Sequence, residues 1–170
     1  MPNGHTHDAV TWFLVTPVAL ASWGVTQDVA GTAVLAGAFA FAGLMFSGDL
    51  DLPSAQYRRW GRLRWIWKPY QWVVPHRSVM SHGILLGPLG RLFYLTLVAV
   101  VLALLGIRAF SGHWQIPWTA FGAAVDLAAH LDDRAWVLVA FGLVGLWVGG
   151  ASHSLADWGW SGVKRRARGR

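Results

Sequence analysis

Cysteine is absent from this chain, and so is glutamate. The first absence removes disulfides, iron–sulfur clusters and thiolate zinc sites, so any metal must be held by nitrogen and oxygen donors. The second makes all eight acidic residues aspartates, so a carboxylate ligand or base sits on a short, stiff side chain. Charge of either sign is also scarce. Only 13% of residues are charged, against ~25% in an ordinary soluble domain. With 55% hydrophobic residues and a mean hydropathy of +0.42, the composition is that of a membrane protein. The net charge of +6 therefore speaks for topology and anionic lipid headgroups, and a nucleic-acid partner is not expected.

What is present is four apolar runs. Residues 10–25, 29–46, 84–107 and 136–152 each approach the ~20 residues needed to cross the hydrocarbon core, although the first is short and carries Pro17. The predicted fold class is all-α: a polytopic membrane protein with four transmembrane helices in a single domain over residues 1–170. Only Thr26, Gln27 and Asp28 separate the first two runs, which makes them an antiparallel hairpin. No cationic residue precedes Arg58, so the first run is expected to be retained rather than cleaved as a signal peptide.

The cations set the expected orientation. Arg58, Arg59, Arg62, Arg64, Lys68 and Arg77 lie between runs two and three, and Lys164, Arg165, Arg166, Arg168 and Arg170 follow run four. The other side has Arg108 and Arg134, and Arg91 falls inside run three. By the positive-inside rule both termini are expected to be cytoplasmic. The stretch YRRWGRLRWIWKPY, residues 57–70, reads as a short interfacial helix with Trp60, Leu63, Trp67 and Tyr70 on one face. Its arginines either anchor the chain at the headgroups or hold an anionic lipid. Arg91 either snorkels toward the headgroups or pairs with an aspartate.

On this topology four polar clusters fall at one membrane face. His5, His7 and Asp8 precede run one; Asp49 and Asp51 follow run two; His76 and His82 precede run three; His153 and Asp157 follow run four. His153 and Asp157 are four apart, so a continuing helix presents both donors from one side. Asp49 and Asp51 precede Pro53, and an extended backbone there points both carboxylates the same way. Imidazole with carboxylate suits zinc first, and manganese or iron as well, in one ion with a generous outer shell or in a two-metal centre. Asp126, His130 and His113 lie toward the opposite face, where a surface amphipathic segment accounts for them.

The motifs THD (6–8), GDLD (48–51), HRSVMSHG (76–83) and HSLADW (153–158) resemble those of small bacterial membrane proteins described as uncharacterised metal-binding proteins. These are related to the YdjM-like predicted membrane-bound metal-dependent hydrolases. The resemblance implies His7, Asp49, Asp51, His76, His82, His153 and Asp157 as metal ligands. His5 lies outside it, and Gly48 stands where the family's second motif usually has proline, a departure expected to touch turn geometry more than ligand chemistry. The implied function is a metal-dependent hydrolase acting on a phosphoester or lipid-linked substrate, with Asp51 or Asp8 as general base and Arg77 binding substrate charge. The alternative is a non-catalytic protein in which the metal staples helix ends and the chain docks a partner. A metal carrier ranks last, because Arg91 alone places charge in a run. Ser78 and Ser81 suit helix capping. The stretch GLVGLWVGG, residues 142–150, suits close packing against another helix, whether of this chain, a second copy or a membrane-protein partner.

Overall fold

A computed structural model describes residues 4–111 and 118–168; His113 and Arg170 lie outside the described residues. The described residues are helical without strands. Helix α1 covers Gly4–Thr26 and α2 covers Val29–Met45. A 3-10 turn at Gly48–Asp51 follows, then α3 (Ala55–Arg59), a 3-10 segment (Gly61–Trp67), α4 (Lys68–Val73) and α5 (Val79–His82). Helices α6 (Leu86–Ser111), α7 (Trp118–Ala129) and α8 (Asp133–Arg168) complete the chain. Four of them, α1, α2, α6 and α8, are long and apolar enough to cross a membrane.

The expected hairpin forms between α1 and α2. Gln27 takes the left-handed conformation (φ 49°), and the Asp28 carboxylate caps α2 by accepting from Ala30 and Gly31 N–H. Helix α2 packs most closely on α8. A Cβ at Gly145 would collide with the Leu35 carbonyl oxygen, and one at Gly149 with that of Phe39, so the small residues of 142–150 admit a helix of the same chain. Arg134 and Asp28 meet at one end of this pair, and the polar clusters lie at the other.

At that second end the connection between α2 and α6 folds back as an aromatic lid. Phe46, Leu50, Tyr57, Ile66, Trp67 and Tyr70 are buried together there. The indole of Trp60 donates to Met45 O, and Tyr94, two turns into α6, donates to Ile66 O, which fastens the lid to α2 and α6.

Three local expectations change. The single interfacial helix over 57–70 is broken into α3, a 3-10 segment and α4, because Gly61 adopts a positive φ of 54°. The tighter winding then sends Ile66 and Trp67 inward and leaves Leu63 exposed. Asp49 and Asp51 are not on extended backbone. They lie on a 3-10 turn, where two residues differ by about 240° and the carboxylates diverge; the extended conformation is confined to Leu52, directly before Pro53. Arg91 does not snorkel. It is 1% exposed, donates to Ser81 O at 2.8 Å and lies over the Phe46 ring, because its turn of α6 faces α5 rather than lipid.

Candidate metal centre

Four elements bring donors to one point. Helix α1, unbroken from Gly4, carries His7; the 3-10 turn carries Asp49; α5 carries His82; and α8, continuing past the span, carries His153 and Asp157 on one side. Asp49, His82, His153 and Asp157 each offer an atom, and these atoms lie within 4.8 Å of one another. His82 Nε2 is 3.5 Å from Asp49 Oδ1 and 3.4 Å from Asp157 Oδ2. His153 Nε2 is 3.5 Å from Asp49 Oδ2 and 3.6 Å from Asp157 Oδ2. His7 Nε2 reaches the other oxygen of Asp157, Oδ1, at 3.3 Å, and its ring stacks on that of His153.

These separations identify what the atoms are arranged for. They exceed the usual 2.7–3.2 Å of an N–H···O hydrogen bond, and His82 Nε2, His153 Nε2 and Asp157 Oδ2 are buried with no hydrogen-bond partner. Leaving three buried polar atoms unpaired is costly. Donors at 2.0–2.1 Å from a tetrahedral ion stand about 3.3–3.4 Å from one another. The four His–Asp spacings, 3.4–3.6 Å, are close to that edge, and the donor set of two imidazoles and two carboxylates fits a divalent ion of the zinc, manganese or iron kind.

The remaining predicted residues divide. His76 Nδ1 lies 3.0 Å from both oxygens of Asp51, and His82 Nδ1 lies 3.8 Å from Asp51 Oδ2, so these three form an adjoining group on the far edge of the His82 ring. Asp8 is engaged by Arg59, which also donates to Leu44 O at 2.7 Å, and Asp8 belongs to neither group. His5 is exposed and likewise belongs to neither group. Arg77, with φ 62°, lines a cleft of about 120 Å³ together with His82, Asp157 and Trp158. A non-glycine residue in that region is uncommon; at Gln27 it makes a hairpin turn, and at Arg77 it stands beside the cluster. His130 and Asp126 pair with each other on the exposed surface of the far end.

Several supporting residues escaped the sequence reading. Ser78 caps α5 as expected, whereas Ser81 lies inside that helix; its Oγ sits 3.0 Å from His82 Nδ1 and donates to Ser78 O, so it can accept a hydrogen bond from Nδ1–H and leave Nε2 free as a ligand. Gln56 faces His153 Nδ1 at 3.4 Å and is fixed by Ser47, whose hydroxyl donates to it at 2.5 Å, and by Gly43 O. The signal for both was a buried-polar argument: Ser47 and Gln56 flank the GDLD motif in an apolar chain. Gly48 bears on ligand placement as well as on the turn. A Cβ there would come within 3.1 Å of three atoms of the His82 ring, so the glycine makes room for the imidazole.

In the absence of a metal, burial works against a charge on His82, but Asp157 and Asp49 outweigh it and push its pKa up to about 9. Such a proton is one that a cation at the same point replaces.

No curated protein and no solved structure matches the chain. A family model described as uncharacterized metal-binding protein (DUF2227) matches residues 2–167, nearly the whole chain. The donor geometry and this match agree, and the chain belongs to that family of metal-binding proteins.

Proposed function

We propose that the protein is a metal-dependent hydrolase working at the cytoplasmic face of the inner membrane on a phosphoester or lipid-linked substrate, with zinc as the first choice of ion. The observation that carries this reading is the cleft: Arg77 lines it together with His82 and Asp157, so the ligand cluster adjoins an open space with a cationic side chain on its wall. The motifs' resemblance to a family related to the YdjM-like predicted hydrolases is in keeping with this reading.

Asp49, His82, His153 and Asp157 would hold the ion, with His7 bracing Asp157 from its other oxygen. The chemistry such an ion supplies when bound is Lewis acidity, which withdraws charge from an oxygen and acidifies water. Arg77 supplies a positive charge to an anionic group entering the cleft. Asp51, whose side chain is fully buried, fixes the His76 ring, and this pair stands beside the cluster as the candidate proton acceptor. Ser81 and Gln56 keep the His82 and His153 rings in place.

The test is hydrolysis of a set of phosphoesters and lipid-linked phosphates by the purified, reconstituted chain, before and after chelation and with zinc, manganese or iron restored. Loss on chelation, recovery with metal and a raised KM in Arg77→Gln support the reading; an undiminished rate in the chelated protein overturns it. Five donors from four elements also suit the alternative, a metal that staples helix ends. That reading is favoured if chelation lowers thermal stability while no substrate is turned over.

A further inference from the structure

The lid between α2 and α6 divides its cations into two sets. Arg58 donates to Pro53 O, and Arg59 is occupied by Asp8 and Leu44 O, so both are used in holding the fold. Arg62, Arg64 and Lys68 face outward instead. Among the described residues Arg62 and Arg64 have no hydrogen-bond or ion-pair partner, and Lys68 lies over the Tyr57 ring. No acidic residue occurs from 52 to 125 to neutralise them.

These three cations line one open hollow of about 720 Å³ with Tyr57, Gly61 and Trp65. Gly61, in the left-handed conformation, adds no side chain to it, and nothing lies within 4 Å of where a Cβ there would stand. The segment that carries the hollow is held against the bundle, because Trp60 donates to Met45 O at the end of α2 and Ile66 O accepts from Tyr94, two turns into α6. Leu63 and Trp65, both more than half exposed, stand beside the cations on the same segment. Exposed apolar side chains interleaved with cations suit a bilayer boundary: rings and aliphatic groups dip toward the acyl chains while the cations meet phosphates.

We propose that the hollow at Tyr57–Lys68 is a binding site for the phosphate of an anionic phospholipid headgroup, separate from the metal centre and independent of what that centre catalyses. Uncompensated charge alone would draw any soluble anion. The flanking Leu63 and Trp65 gain nothing from a soluble anion and favour a ligand already embedded in lipid. Each cation at such a surface contributes about fivefold in affinity.

The experiment uses the full chain in nanodiscs of phosphatidylcholine with phosphatidylglycerol of the same acyl composition, with retained lipids identified by native mass spectrometry. Wild-type protein should keep phosphatidylglycerol preferentially. Arg62→Gln/Arg64→Gln/Lys68→Gln should lose at least tenfold of that preference with its metal content unchanged, whereas Arg134→Gln, at the far end of the molecule, should keep it. An unchanged preference in the triple variant, an equal loss in Arg134→Gln, or displacement of the lipid by millimolar inorganic phosphate overturns the proposal. Should the triple variant fail to insert, Arg64→Gln is read alone: a fivefold drop supports the site and no drop removes it.

Discussion

His82 and His153 share two carboxylates. The Nε2 atom of each stands 3.4–3.6 Å from both Asp49 and Asp157, although the two histidines lie 71 positions apart in the chain. Neither imidazole is positioned for a good hydrogen bond, and both are positioned for a common cation.

Removing one member of that quartet should therefore remove the metal. His82→Ala, His153→Ala and Asp157→Asn are expected to abolish stoichiometric metal in elemental analysis of the purified chain. Ser81→Ala and Gln56→Ala, which alter only the bracing, should weaken affinity by about 10–100-fold in a chelator competition. Full metal content in His153→Ala would separate the quartet from the metal.

Metal-free protein should lose stability as the solution is made alkaline. The folded pKa of His82 is about 9, above the ordinary 6.5. The stabilisation from its protonated form is thus fully present below about pH 6.5 and disappears as pH rises through about 9. Thermal melts of the chelated chain across that window should fall, and His82→Gln should flatten the dependence. The metal-loaded chain should show little change there, because the cation has replaced the proton.

Gly48→Ala tests whether the glycine is a spacer for the ligand. With 3.1 Å available, the His82 ring must shift by a few tenths of an ångström, and metal affinity should fall with little change in helix content by circular dichroism. Unaltered affinity would return Gly48 to a role in the turn alone.

At Gly149 the conflict is with backbone rather than a ring. An added methyl meets the Phe39 carbonyl and the Ala42 side chain, so Gly149→Ala should force α2 and α8 apart at a cost of about 1–3 kcal/mol. The α2 end leads into Asp49 and α8 carries His153 four residues beyond, so metal affinity should fall together with the melting temperature. A change confined to stability would show that the site does not depend on this crossing.

Much of this was legible in the chain. The four apolar runs announce the spans by length and hydropathy alone, and the i, i+4 pair His153 and Asp157 falls on one side of an unbroken helix as its spacing requires. What the residues could not convey was how the donors divide. Two aspartates separated by one residue point together on a strand and apart on a 3-10 turn, and that turn is selected by packing of Leu50 in the aromatic lid. The partner of Arg91 was hidden for a similar reason. It is a main-chain carbonyl, Ser81 O, which no side-chain pattern advertises. Asp8 carried the right chemistry in the right place but was claimed by Arg59 from a distant segment.

Helix α8 runs without interruption for 36 residues, about 54 Å at 1.5 Å per residue, against a hydrocarbon thickness of ~30 Å. The rod that spans the lipid is thus the same rod that presents His153 and Asp157. A thicker or thinner bilayer that changes its tilt must swing two of the four donors through an arc while Asp49 and His82 ride on other supports. Cation affinity is therefore expected to vary with the thickness of the surrounding bilayer.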